Sequence, residues 1–207
     1  SRLTWLEYRL ARGELVRPET GTAVELIAEK GAAHEARFLD RMRGEHGDRL
    51  VEFDPRIDVT RAAMEAADAR TAAAMASGAP VIYQATFFDG TFLGRADFLR
   101  RVDTPSACWD WSYEVVDTKL ALHEKAHFLL QLCNYSEHVE RLQGTPPVKG
   151  HLVLGSQLEA HFRIDDYMAY YRHQKRRFLE RMQAPADSYP AEIGHCTICR
   201  WTDDCEA

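Results

Sequence analysis

The stretch YEVVDTKLA sets Asp117 and Lys119 two residues apart in an apolar run. Strand side chains alternate with a period of two, so both project from one face. Upstream, GRADFL holds Asp97 as a lone carboxylate among small and apolar neighbours. Two carboxylates on adjacent strands can hold a hard divalent cation through oxygen, with waters completing the shell. A lysine beside such a cation can orient an attacking water or, as the neutral amine, deprotonate it, and as the ammonium it can stabilise charge developing on a phosphorane-like state. Gln131 and Tyr135, four apart on a helix, share a face and can flank the same site. His34 lies on the helical stripe Val24, Ile27, Gly31, Phe38 and Met42, points inward, and can add a nitrogen ligand. Taken singly, each residue also has a plainer reading. His34 reads as a bonded core histidine, Asp97 as the ion partner of Arg95 or Arg100, and Asp117 with Lys119 as an edge-strand surface pair.

A second group closes the chain. HCTICRWTDDC carries Cys196, Cys199 and Cys205 in the spacing C-x2-C-x5-C. Zinc or an iron–sulfur cluster would want a fourth ligand. The candidates inside the chain are His195, strained by its adjacency to Cys196, then Cys108 in TPSACWDW, and Cys133. Structural zinc contributes roughly 10–16 kcal/mol of apparent binding free energy in finger peptides. Whole-domain stability is about 5–15 kcal/mol. A metal there can therefore decide whether the tail is ordered.

Composition bounds the partners. The 207 residues fit one domain, here 1–207, with a core of about 22–183 and a cysteine tail at 190–207. A net charge of −6 argues against an all-over electrostatic grip on nucleic acid and leaves room for a local basic patch. Arg172, Arg176 and Arg177 form such a face on the last helix. No apolar run of membrane-spanning length occurs, and an odd five cysteines fit a reducing, cytoplasmic setting with ligands or free thiols rather than disulfides.

The positioning elements follow from periodicity. Helices are expected over 22–43, 60–76, 123–142 and 164–182. VIYQATFF and TFLGRADFLRRV read as a hairpin about an Asp89-Gly90 turn of primed type. Residues 111–122 and KGHLVLG read as two further strands, with PPV breaking the helix between them.

In this order, His34, Gly94 to Asp97, Asp117 to Lys119 and Gln131 to Tyr135 resemble the RecB-like branch of the PD-(D/E)XK nuclease superfamily. The resemblance covers nearly the whole chain. It implies an α/β fold with an αβββαβ core and a metal-dependent deoxyribonuclease, single-strand- or end-directed and often exonucleolytic. Mg²⁺ or Mn²⁺ would be held by His34, Asp97, Asp117 and the Thr118 carbonyl. Asp97, Asp117, Lys119, Gln131 and Tyr135 would be the catalytic set. The tail is similar to that of the subset carrying a [4Fe–4S] cluster, which includes AddB-type and CRISPR spacer-acquisition nucleases. There the cluster staples the tail to a helical opening segment, and the fourth cysteine precedes a sequence like SRLTWLEYRLARGELVRPE. The resemblance thus implies a ligand upstream of Ser1, a piece of a longer polypeptide, and a helicase partner or fused helicase region, since no G-x4-GK[ST] stretch occurs here. The rival expectation is a catalytically silent module of the same fold that binds nucleic acid or a protein.

Overall fold

The computed structural model describes residues 2–19, 21–189, 191–194 and 196–206. Six strands, β1 (Val51–Glu52), β2 (Val81–Phe88), β3 (Leu93–Val102), β4 (Ser112–Thr118), β5 (Lys149–Val153) and β6 (Glu159–Arg163), form one mixed α/β sheet. Their spatial order follows the chain. Strands β2, β3 and β4 are an antiparallel meander, β1 runs parallel to β2, β5 parallel to β4, and β6 antiparallel to β5. A parallel return from β4 to β5 needs a crossover, and helix α4 (Ala126–Gln143) supplies it.

Both faces of the sheet are covered. Phe128, Leu132 and Val139 of α4 join Phe87, Leu99, Val115 and Leu152 in one apolar cluster. Phe38, Leu39 and Met42 of α2 (Thr22–His46) meet Phe98, Val116 and Val153 in a second. Every residue of β4 is buried as a result, and its apolar run has the composition of an interior strand. Helix α3 (Arg61–Ala76), capped by Thr60 accepting from the Ala63 amide, adds Ala74 and Met75 to the first cluster. Helix α5 (Asp165–Gln183) adds Met168 and Tyr171.

The chain divides into two compact units, one being Gly31–Tyr171 and the other the residues flanking it on both sides. In the flanking unit, α1 (Arg2–Ala11) buries Leu6, and the tail forms a 3₁₀ turn, Cys196–Ile198, followed by α6 (Thr202–Glu206). Trp201 is buried, its indole N–H donating to Glu7 on α1 at 2.8 Å. The Arg2 guanidinium bonds the Asp187 carboxylate at 2.6 Å and the Asp204 carbonyl at 3.2 Å. Two side-chain links thus join the tail segment to α1 within this unit.

Several expectations need correction. The hairpin turn is four residues long, and the Asp89 side chain accepts from the Thr91 and Phe92 amides at 2.9 and 2.7 Å. A local Asx bond thus replaces the two-residue primed turn. The crossover helix ends at Gly144, in the left-handed region at φ 71°, before either proline can act. Strands β1 and β6 were not expected; β1 is two residues long, and EAHFR in β6 is too polar to show a half-buried alternation. Ile27, on the supposed inward stripe of α2, is half exposed.

The edge-to-face pair Phe38–Phe98, with centroids 4.8 Å apart, ties α2 to the centre of the sheet. Phe98→Ala should cost about 3–5 kcal/mol in urea unfolding. A loss below about 1 kcal/mol would show that this packing does not hold the helix.

Candidate metal and catalytic site

Asp97 and Asp117 meet where the sheet loses its regular pairing. Tyr83 pairs with Phe98 and Ala85 with Ala96, but the intervening Gln84 and Asp97 do not pair, and Gln84 takes a positive φ of 55°. Such a backbone conformation is costly for a non-glycine residue and is retained where the surroundings demand it. Released from the ladder, Asp97 reaches β4. Its Oδ2 accepts from the Thr118 amide at 2.8 Å and from the Thr118 hydroxyl at 2.7 Å. Arg100, one of its possible ion partners, instead holds Glu159.

Asp117 is 1 % exposed on an interior strand, which removes the edge-strand reading. The Lys119 ammonium sits directly against its Oδ2. Apart from that ammonium, Oδ2 has no donor among the described residues. Burial, then the Asp97 charge, push the Asp117 carboxyl above the ordinary carboxylate range, against the pull of Lys119. A buried carboxylate whose near counter-charge is a lysine, and which feels the charge of a second carboxylate, fits a hard dication by its donor chemistry.

His34 is fully buried, as its stripe position implies. Its Nε2 lies 3.0 Å from the Val153 carbonyl, and the Gln157 amide approaches Nδ1 at 2.7 Å. The same Val153 carbonyl accepts the Lys119 amide at 2.9 Å, so one backbone oxygen locates both residues. His34, Asp97 and Asp117 do not bring three ligand atoms within 4.8 Å of one another; among the described residues only His151, Glu159 and His161 do so. For His34 to ligate an ion beside the carboxylates, its Nε2 would have to leave Val153.

Helix α4 closes the site from the other side. Gln131 donates to the Tyr135 oxygen at 2.7 Å, as the four-residue spacing implies. The Tyr135 phenol is pushed up to about 12, by burial first and with the charges of Asp117 and Asp97 contributing. Gly94 explains its own place three residues before Asp97: a Cβ there would stand 3.1 Å from the Tyr135 ring.

Other residues of the site were not anticipated. Glu35 bonds the Gln84 amide, and its carboxyl is raised by burial and by Asp97. Gln157, at a positive φ of 66°, fixes the second nitrogen of His34. The available signals were Glu35 beside His34 and the lone amide in VIYQATFF. A cleft of about 620 Å³ is lined by Arg41, His46, Arg49, Arg100, Arg101 and Gln157, with three acidic residues among its other walls. Arg172, Arg176 and Arg177 are exposed on α5.

In the flanking unit, the three tail cysteines are each partly buried. The Cys205 thiol is raised by burial and by the charges of Cys199 and Cys196, against the pull of Arg2, and the three sulfurs do not all lie within 4.8 Å of one another. The Thr202 hydroxyl bonds the Cys196 and Cys199 carbonyls at 2.6 and 2.9 Å. Cys133 is a core residue with its thiol pushed up to about 11 by burial, so it makes no ligand in place. Cys108 is exposed, and His195 lies outside the described residues.

No protein-family model matches the chain, and no curated protein is significantly similar to it. The functional case therefore rests on its own residues.

Gly94→Val should cost about 1–3 kcal/mol by overpacking the Tyr135 ring. In a Tyr135→Ala background that cost should largely vanish, as read by a double-mutant cycle in urea. Equal costs in both backgrounds would mean that the two residues are not in contact.

Proposed function

We propose that the chain is a Mg²⁺- or Mn²⁺-dependent deoxyribonuclease of the PD-(D/E)XK kind, hydrolysing phosphodiester bonds of single strands or ends. One observation carries this reading: Asp97 in the middle of β3 reaches Thr118 at the end of β4, where Asp117 meets Lys119, with the Gln131–Tyr135 pair of α4 nearby. The order β2–β3–β4, α4, β5, preceded by α2, β1 and α3, is compatible with the αβββαβ core that the resemblance implies.

Asp97, Asp117 and the Thr118 carbonyl would hold the ion, joined by His34 once it turns from Val153. Bound there, the ion supplies Lewis-acid neutralisation of charge on the scissile phosphate. Lys119, kept in place by its backbone N–H bond to the Val153 carbonyl and released from Asp117 by the ion, would present an ammonium to the attacking water or to charge developing in the transition state. Tyr135 accepts the Gln131 N–H, which leaves its own O–H available to donate toward substrate. The arginines of the cleft beside Gln157, with Arg172, Arg176 and Arg177 on α5, offer phosphate contacts despite the acidic whole.

The tail would carry the [4Fe–4S] cluster on Cys196, Cys199, Cys205 and a fourth ligand, with zinc the alternative. Its role is structural: thiolate bonds add to the Trp201–Glu7 and Arg2–Asp187 links already present. Any motor for processive cutting would come from a helicase partner or region.

A second reading, a silent DNA- or protein-binding module, draws on His34, whose two nitrogens both have protein partners. One assay separates the two. Parent protein with Mn²⁺ should cut single-stranded DNA, and Asp117→Asn or Lys119→Ala should each slow cutting roughly 10²–10³-fold, the usual cost of one transition-state group. Asp117→Asn should melt no lower than the parent, because it removes a buried like charge. Binding without cleavage in the parent would select the module. A second expected outcome concerns the tail: anaerobically purified protein should be brown, with iron and sulfide in equal amounts, and Cys199→Ser should bleach it. A colourless sample with stoichiometric zinc would replace the cluster by zinc.

A further inference from the structure

The hairpin formed by β5 and β6 carries a second constellation, distinct from the carboxylates at Asp97 and Asp117. His151 and His161 are a directly opposed cross-strand pair, and Glu159 pairs with Val153 two residues along the same face. Their donor atoms converge. The two Nδ1 atoms are 2.8 Å apart, and Glu159 Oε1 lies 3.0 Å from His151 Nδ1 and 3.6 Å from His161 Nδ1. Ligands about 2.1 Å from one ion, at right to tetrahedral angles, stand roughly 3.0–3.4 Å apart. The observed triangle is close to that size.

The surroundings are those of a ligating histidine. His151 Nε2 faces Glu114 Oε2 at 2.8 Å, and the other oxygen of Glu114 accepts the Lys149 amide at 3.0 Å. A carboxylate on the far nitrogen fixes the tautomer that leaves Nδ1 with its lone pair facing the triangle. Glu159 is likewise oriented, its two oxygens taking the Arg100 guanidinium at 2.7 and 3.0 Å. His151 is buried while His161 is half exposed, so the triangle opens to solvent on one side and keeps room for a water. The burial and backing of His151 go beyond what a chance surface cluster offers.

We propose that His151, Glu159 and His161 bind a borderline divalent transition ion of the zinc class, with Glu114 as positioning residue. Two imidazoles and one carboxylate suit such an ion, whereas Mg²⁺ and Mn²⁺ prefer oxygen. The ion would cross-link β5 to β6 and so fix the intervening loop, from which Gln157 reaches His34. The site stands whether or not the chain cuts DNA.

The test is titration of chelator-treated full-length protein with Zn²⁺, followed by ¹⁵N-histidine correlation spectra and calorimetry. The Nδ1 resonances of His151 and His161 should shift at one equivalent, which separates this site from zinc on the cysteines. Glu114→Gln should weaken that event about 10–100-fold. His161→Gln, at a half-exposed position and checked for folding by circular dichroism, should remove it and lower the zinc stoichiometry by one. His123→Ala should leave it unchanged. Static His151 and His161 resonances at millimolar Zn²⁺, or a stoichiometry unaltered by His161→Gln, would overturn the site.

Discussion

The two hydrogen bonds from Thr118 to a single oxygen of Asp97 are the constraint on which the site depends. Sheet geometry would normally pair Asp97 with Gln84 and leave its side chain to one face. Here the ladder skips that pair, Gln84 takes a left-handed backbone, and Asp97 crosses to the end of β4. The consequence is two carboxylates held close together, one of them buried, with a lysine as the near counter-charge. Apolar side chains packed there would be more stable, since buried charge is costly even when paired. A fold that keeps the arrangement is trading stability for something else, and the proposed cation binding is chemistry that would use it.

The Val153 carbonyl extends this constraint through the molecule. It takes the Lys119 amide on one side and meets His34 on the other. Val153 ends β5, and the following loop returns Gln157 to the far nitrogen of the same imidazole. Both ring nitrogens of His34 thus find their partners in the β5–β6 hairpin. The hairpin's own histidines lie two residues before Val153 and four after Gln157. An ion bound by them would act on the rigidity of His34 without touching it.

The alternation and helical spacing in the sequence were enough to place β2 through β5, α2 and α4, because those elements bury one face or both and their apolar pattern records it. Strand period put Asp117 and Lys119 on one face and helical spacing put Gln131 beside Tyr135, while grouping them with Asp97 came from the order of motifs that the resemblance implies. The irregular parts were hidden. Strand β6 pairs through its backbone while its side chains stay polar, so EAHFR carries no hydrophobic signal. The distortion at Gln84 arises from tertiary bonds of Glu35 and Asp97, which no local window contains. Gln157 owes its role to a loop conformation, and Glu114, His151 and His161 meet only through cross-strand register. What remained legible in those cases was a polar residue in an apolar strand, as in VIYQATFF and KGHLVLG.

The account is tested most directly by locating the ion itself. Crystals grown with Mn²⁺ and measured at a wavelength with manganese anomalous signal should show a peak bonded to carboxylate oxygens of both Asp97 and Asp117, with Lys119 displaced from the Oδ2 contact. A manganese position elsewhere, with Asp117 still paired to Lys119 and no anomalous density between the two carboxylates, would contradict it.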